Sequence, residues 1–454
     1  MSTHILDLLA FVPFLALFWG VLLCKANFSL MEYDLVVRWQ NVLSEPTFHL
    51  ALTLVFLFPA ILSEGNTALG FIALIFSSRC WKSHPDVIPR IPDVFRDINF
   101  LIVTKGSNTS AVQCTIESAL ASVKESEGFL TELGFNANIV MLLDEGTGNE
   151  VVSSHGPGIK ICIVPNDYDC PRGGRYKARA LHYFVNNAEL HNDDWIFHLD
   201  EETALTTDTV RAVASFASQS CCTQYFIGQC LIFYNHRKFW KNSLITVADI
   251  ARVVDDLGKL FWQNTVTHLP WWGVRGSSLL IKASAEKSIG WDTTNLVEDY
   301  WFAQQACEKQ YKCGWVRGIC REESPQSFRD FFRQRRRWYA GLWYMGGNTG
   351  RCQMILSMFG TCSPEAVLIL ANLFPKLSVP SFTFGSAVLF AAGLSMRLAT
   401  AVIQDLDAEV TLISLLKHQT AVILLNYPSK LMEYGAAVSA IISPPTTFEV
   451  VSKG

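Results

Sequence analysis

The chain has 454 residues, half of them hydrophobic, with 17 % charged residues and a formal net charge of -4. A mean hydropathy of +0.22 excludes a disordered chain, and the acidic balance excludes a protein that holds nucleic acid by bulk charge. The apolar residues gather at the two ends. Residues from about 95 to about 345 carry the charges and turn residues of a soluble domain.

In chain order, residues 5–23 (ILDLLAFVPFLALFWGVLL) have the length of one bilayer crossing and lack the basic start and small-residue cleavage site of a signal peptide. A second run, FHLALTLVFLFPAIL, starts at Phe48 and breaks at Ser63-Glu64-Gly65-Asn66. It resumes as ALGFIALIF to Phe76, reading as one span and a shorter interfacial or re-entrant piece. Residues 1–77 are thus an N-terminal transmembrane region of about two spans. Residues 78–350 form a cytosolic domain, and residues 351–454 a C-terminal membrane-associated region. The last has apolar runs at 366–374, 382–403, 410–425 and 431–442, interrupted by Arg397 and by Pro375, Pro380 and Pro428. Arg79, Lys82, Arg90 and Arg96 follow the second run, and the cluster at 333–337 precedes the C-terminal runs. The loop at 25–45 is balanced between Lys25 and Arg38 and three acids. The positive-inside bias therefore puts the middle domain in the cytosol. Thirteen cysteines, an odd number without zinc spacing, suit a reducing compartment, where the Asn108-Thr-Ser sequon stays unmodified.

Within the middle domain, INFLIVTKG (98–106), ANIVMLLDEGTGNE (137–150), KICIVPNDY (160–168) and DWIFHLDEET (194–203) read as buried strands. They alternate with helical patterns such as 109–123. This is an α/β domain with ligands expected beyond the carboxyl ends of its strands. Asp144, after IVMLL, is either a nucleoside-binding acid or a turn residue. Gly146-Thr147-Gly148 is too short for a dinucleotide fingerprint. RGGRYKARAL places Lys177 and Arg179 at a helix start after Gly173-Gly174, as a pyrophosphate site or a solvated basic helix start. In HLDEET, strand alternation sends Asp200 and Glu202 to one side and Glu201 to the other, which favours a divalent cation over a solvated loop. In LVEDYWFA, Glu298-Asp299 lies among aromatics, where burial raises a carboxyl pKa and suits a general base. The same acids are also compatible with a helix start capped by Asn295. PWWGVRG (270–276) exposes Trp271 and Trp272 as an aromatic platform or as packing. QRRRW (334–338) ends the domain.

Taken in order, Asp144, Asp200/Glu202, Glu298-Asp299 and Gln334/Arg337/Trp338 resemble the membrane-bound members of glycosyltransferase family 2. The shared pattern is an early Asp, an Asp-x-Asp after a strand, a Glu-Asp, and Gln-x-x-Arg-Trp before a membrane. Here the metal motif is Asp-Glu-Glu, which makes Glu202 a less secure ligand than Asp200. The resemblance implies a GT-A-type (Rossmann-like) nucleotide-sugar transferase between transmembrane segments, in the Golgi or endoplasmic reticulum. The stretches FHLDEET, PWWGVRGSSLL, LVEDYWFA and SFRDFFRQRRRW resemble one branch of the family in particular, and that resemblance implies inverting transfer of mannose from GDP-mannose in β1,4 linkage to glucosylceramide at a lipid bilayer. On this reading Asp200 and Glu202 hold Mn2+ or Mg2+. Asp144, Lys177, Arg179, Asp200, Gln334, Arg337 and Trp338 bind the nucleotide sugar. Asp299 is the base with Glu298 beside it, and Trp271, Trp272 and Trp338 meet the acceptor. Arg335 and Arg336 are left as surface charge. A processive synthase of the cellulose, chitin or hyaluronan type shares these motifs, and a non-catalytic membrane scaffold is the alternative outside the enzymes.

Overall fold

The computed structural model describes residues 47–75, 95–106, 108–144, 158–237, 239–345, 347–374 and 380–445. The expected first span at 5–23, the loop at 25–45, the basic residues at 79–90, Gly146-Thr147-Gly148 and Pro375 lie outside them. The described chain runs α1 (Thr47–Ile75), β1 (Arg96–Thr104), α2 (Thr109–Glu132), β2 (Phe135–Asp144), β3 (Ile159–Val164), α3 (Tyr176–Asn187) and β4 (Trp195–Asp200). It continues through α4 (Thr207–Thr223), β5 (Ile227–Phe233), α5 (Ser243–Asp255), two short π-helical turns, β6 (Leu279–Lys282), α6 (Ala283–Ile289), α7 (Glu298–Glu308) and β7 (Cys313–Arg321). Four helices close it: α8 (Phe328–Met345), α9 (Gly347–Leu373), α10 (Pro380–Asp407) and α11 (Leu412–Ile442).

The chain divides into two compact units. The first takes in 95–239 and 259–345 and carries one seven-stranded sheet, ordered β3-β2-β1-β4-β6-β5-β7. Every neighbouring pair is parallel except those made by β6, which runs against both β4 and β5. Alternate residues of each strand point to opposite faces, and both faces are covered. Ile98, Phe100 and Ile102 pack with Val112 and Ile116 of α2 and with Val210 and Val213 of α4. Leu101 and Val103 pack on the other side with Leu181 and Phe184 of α3 and with Phe302 of α7. Burial on both faces explains why residues 100–103 of β1 and 230–233 of β5 are consecutive apolar residues rather than alternating ones.

The second unit takes in 47–75, 240–258 and 347–443, and its regular elements among the described residues are all helices. The 240–258 stretch, read in the sequence as part of the middle domain, packs here. Val247 and Ile250 of α5 join Leu394, Leu398 and Ala401 of α10 and Val422 of α11. The polar break at 63–66 interrupts nothing, because α1 is one continuous helix from Thr47 to Ile75. The runs at 410–425 and 431–442 likewise merge into α11, with Pro428 inside it. Once an apolar face is packed, an interior proline or a few polar residues cost less than ending the helix. Among the described residues, one helix, Ser381–Asp407, is long and apolar enough to cross a membrane.

Candidate functional site

The sheet register sets the site. Val103 stands opposite Asp200, Thr104 opposite Leu143, and Asp144 opposite Val164. Asp144 and Asp200 therefore end β2 and β4 at the same carboxyl edge, with β1 between them. That separation is about 10 Å across two strand spacings.

Helix α3 serves both acids. Lys177 and Arg179 are two residues apart, about 200° around a helix, so they point to opposite sides. The Lys177 ammonium reaches Asp200 Oδ1 at 2.5 Å and the Gly276 carbonyl at 3.0 Å. The Arg179 guanidinium pairs with Asp144 and donates to the carbonyls of Tyr168 at 2.9 Å and Pro165 at 2.5 Å. Arg179 thus holds Asp144, itself buried, against the loop that follows β3. Burial alone would discharge Lys177, but the charges of Asp200, Glu298 and Asp299 outweigh it and hold its pKa above the ordinary lysine value.

The acidic triplet separates. Strand β4 ends at Asp200, so strand alternation does not extend to Glu201 and Glu202. Glu201 accepts from Thr104 Oγ1 at 2.6 Å and from the Asn108 amide, bracing the end of β1. Glu202 is buried in the turn beyond. The Asp200 amide lies 3.2 Å from Thr203 Oγ1 and 3.3 Å from Ser277 Oγ, which fixes the backbone while the carboxylate stays partly exposed.

Glu298 and Asp299 open α7, and Val297, not Asn295, is the cap residue. The Asn295 side chain instead accepts from the Val297 amide at 2.8 Å. Burial first, and then the Asp299 charge, raise the Glu298 pKa, with Lys177 and Arg337 pulling it back. Glu298 is the more deeply buried of the pair. Asp299 lies against Gly276, where an added Cβ would come within 3.1 Å of Asp299 Oδ2 and 3.4 Å of Lys177 Nζ. Any side chain at 276 would push apart the base candidate and the cation.

QRRRW lies in α8, which starts on Ser327, whose Oγ accepts from the Asp330 amide at 3.1 Å. The helix docks on the segment before α7. Arg337 Nη1 donates to the Leu296 carbonyl at 3.1 Å, and at Gly341 a Cβ would fall 2.2 Å from Val297 Cγ2. Burial lowers the Arg337 pKa, opposed by Glu298, Asp299 and Asp200, the three acids its charge faces. Arg335 is a correction to the sequence reading. It is 2 % exposed rather than surface charge. Its guanidinium lies 4.4 Å from the Phe331 ring centroid and 4.2 Å from that of Trp338, and it donates to Gln334 Oε1 at 2.8 Å. The spacing of QxxRW says nothing about Arg335, whereas aromatics four residues before it and three after it, at Phe331 and Trp338, were a readable sandwich.

The structure brings Asp200, Lys177, Glu298, Asp299 and Arg337 together and sets Asp144 with Arg179 beside them. The sequence reading missed Asp292, which accepts from the amides of Arg172 at 2.6 Å and Gly174 at 3.1 Å and so holds the RGG loop ahead of Lys177. It also missed the Gly276 carbonyl. Trp271 and Trp272 are 59 % and 44 % exposed on the loop that contains Gly276. Among the described residues no group of three or more His, Cys, Asp or Glu could hold a metal ion. The residues fit a hard cation only as a partial shell, with Asp200 accessible and the remaining positions open to phosphate oxygens and water.

Residues 195–425, just over half of the chain, match the family described as Glycosyl transferase family group 2. The chain belongs to this family. As a family group 2 chain it is 36 % identical over 206 residues to the Drosophila melanogaster protein named Beta-1,4-mannosyltransferase egh. That match covers 44 % of each chain. It is 31 % identical over 250 residues to Beta-1,4-mannosyltransferase bre-3 of Caenorhabditis elegans, covering 54 % of this chain and 51 % of that one. The chain thus spans about half the length of the curated relatives it matches. A solved structure, the mannosyltransferase PcManGT from Pyrobaculum calidifontis in complex with GDP-Man and Mn2+, aligns over 87 % of this chain and 98 % of that one. The TM-score is 0.43 and the identity 13 %.

Proposed function

We propose that this family group 2 protein is an inverting mannosyltransferase of the GT-A type. It would move mannose from GDP-mannose in β1,4 linkage to the sugar hydroxyl of a glycolipid, glucosylceramide in the first instance. The observation that carries this reading is the meeting of Asp200, Lys177, Glu298, Asp299 and Arg337 at the carboxyl edge of the sheet.

Asp299 accepts the proton of the acceptor hydroxyl as that oxygen attacks the anomeric carbon. The bond from that carbon to the diphosphate oxygen breaks on the opposite face, and GDP departs unprotonated. Lys177 and Arg337 carry the cationic side of the site, Arg337 with the planar fork that suits phosphate oxygens. Glu298, with its raised pKa, positions the start of α7. Asp144, fixed by Arg179, takes the nucleoside, and Gln334 and Trp338 complete the wall next to Arg337. Asp200, with Glu202 behind it, would hold a divalent cation, Mn2+ or Mg2+, which supplies charge neutralisation to the diphosphate. The helical unit is the membrane part of this proposal, with the sheet unit on the cytosolic side of a Golgi or endoplasmic reticulum membrane.

The test incubates membranes containing the full chain with labelled nucleotide sugars and glycolipid acceptors. One mannose added to glucosylceramide, abolished by EDTA, is the expected result. A ladder of products would replace this reading with a processive synthase, and full activity in EDTA would remove the cation.

A further inference from the structure

The loop from Pro270 to Ser278 lacks regular secondary structure, yet it shows two tryptophans to solvent and brings Gly276 against Asp299. A backbone without a ladder must satisfy its amides and carbonyls elsewhere. Here two buried glutamine side chains do so. Gln263, 0 % exposed, donates from Nε2 to the Gly273 carbonyl at 2.7 Å and accepts the Trp272 amide on Oε1 at 2.9 Å. Gln229 of β5, 1 % exposed, accepts the Arg275 amide at 2.8 Å and donates to the carbonyls of Ser277 at 3.2 Å and Ser278 at 3.1 Å. Between them the two amides grip five backbone polar atoms of the loop between Trp272 and Ser278. Gly273, at φ +93°, lets the backbone turn where a Cβ would strike the Tyr300 ring at 2.7 Å.

Resting on the transferase reading above, we propose that Gln263 and Gln229 are positioning residues for the sugar acceptor. They hold Trp271 and Trp272 as a rigid stacking platform at a set distance from Asp299. A primary amide is the side chain that can both donate and accept without charge, so it can bridge a backbone N–H and C=O in a dry interior. Exposed indole faces recognise the apolar C–H face of a pyranose. The loop joins that platform to the base through Gly276, whose carbonyl also receives Lys177. The occupant is the acceptor sugar rather than the nucleoside, because this loop meets the base Asp299 through Gly276, whereas the nucleoside is assigned to Asp144 at the end of β2.

The experiment uses the full-length membrane protein with GDP-mannose and glucosylceramide. Gln263→Leu leaves the Trp272 amide and Gly273 carbonyl without their partner. It should raise the acceptor KM about tenfold and the GDP-mannose KM less than about twofold. Trp271→Ala with Trp272→Ala should raise the acceptor KM by a similar factor. Adding Gln263→Leu to that pair should change it little further, because the glutamine acts through the indoles. If Gln263→Leu fails to fold, Gln263→Asn and Gln229→Asn must give the same split between acceptor and donor. Parallel rises in both KM values, or multiplying effects of the glutamine and tryptophan changes, overturn the positioning role alone. A wild-type chain that consumes no nucleotide sugar overturns the transferase reading with it.

Discussion

Both units of the molecule bury charge, but they do it differently. In the sheet unit, charged side chains from α3, β4, α7 and α8 converge, so burial and then the Asp299 charge raise Glu298, and the surrounding acids hold Lys177 charged. In the helical unit the buried charges have local partners. Lys430 pairs with Glu365 at 2.5 Å, each 4 % exposed. Arg397 donates to Ser429 Oγ at 3.2 Å, and Asp405 accepts from the Trp240 indole and from His418 at 2.9 Å each. A charge in an apolar run is therefore not by itself a mark of chemistry. Pairing of two helices keeps it in place, whereas convergence from several elements on one open edge leaves charge for a substrate to meet.

Five outcomes break or sharpen that contrast. Asp299→Asn should lower transfer about 10²- to 10⁴-fold, the range of a lost general base, with the unfolding temperature unchanged. Normal turnover in that variant would dissolve the convergent site. Lys430→Met should do the reverse and destabilise the protein by about 3–5 kcal/mol, since it strands the buried Glu365. Thermal unfolding of Lys430→Met with Glu365→Leu should recover most of that loss, and failure to recover would mean the pair does more than hold helices. The arginines of QRRRW divide the same way. Arg335→Leu loses a two-ring cation–π sandwich and should cost about 2 kcal/mol of stability. Arg337→Lys should keep the melting temperature and lose rate.

The smallest effect concerns Glu298. Its folded pKa is raised by burial and by Asp299, so its contribution to stability is full below the ordinary glutamate value of about 4.3. That contribution is lost as pH rises through the folded value. Glu298→Gln should therefore melt higher than the wild type at neutral pH and match it near pH 4. Equal melting curves at both would place the carboxyl in solvent.

Much of the site was legible because its acids sit where strands stop. The four runs ending near Thr104, Asp144, Val164 and Asp200 became β1 to β4, and Asp144 and Asp200 stand at their ends. Strands β5, β6 and β7 gave weaker signals. Strand β6 has only four residues and runs antiparallel, and β5 hides a functional-looking Gln229 inside an apolar run. Glu202 could not be placed by alternation, because alternation stops where β4 does.

The sequence by itself determined the residue types, the order of the four motifs and the apolar ends, since local period and composition are properties of neighbours along the chain. Only the tertiary structure decided which charge meets which. Lys177 went to Asp200 and Arg179 to Asp144 because a helix turns about 200° in two residues. Arg335 went inside because two rings from its own helix closed over it. The tryptophan loop was set by Gln229 and Gln263, 46 and 9 residues away from their amide donors, and no local pattern reports a partner brought in by folding.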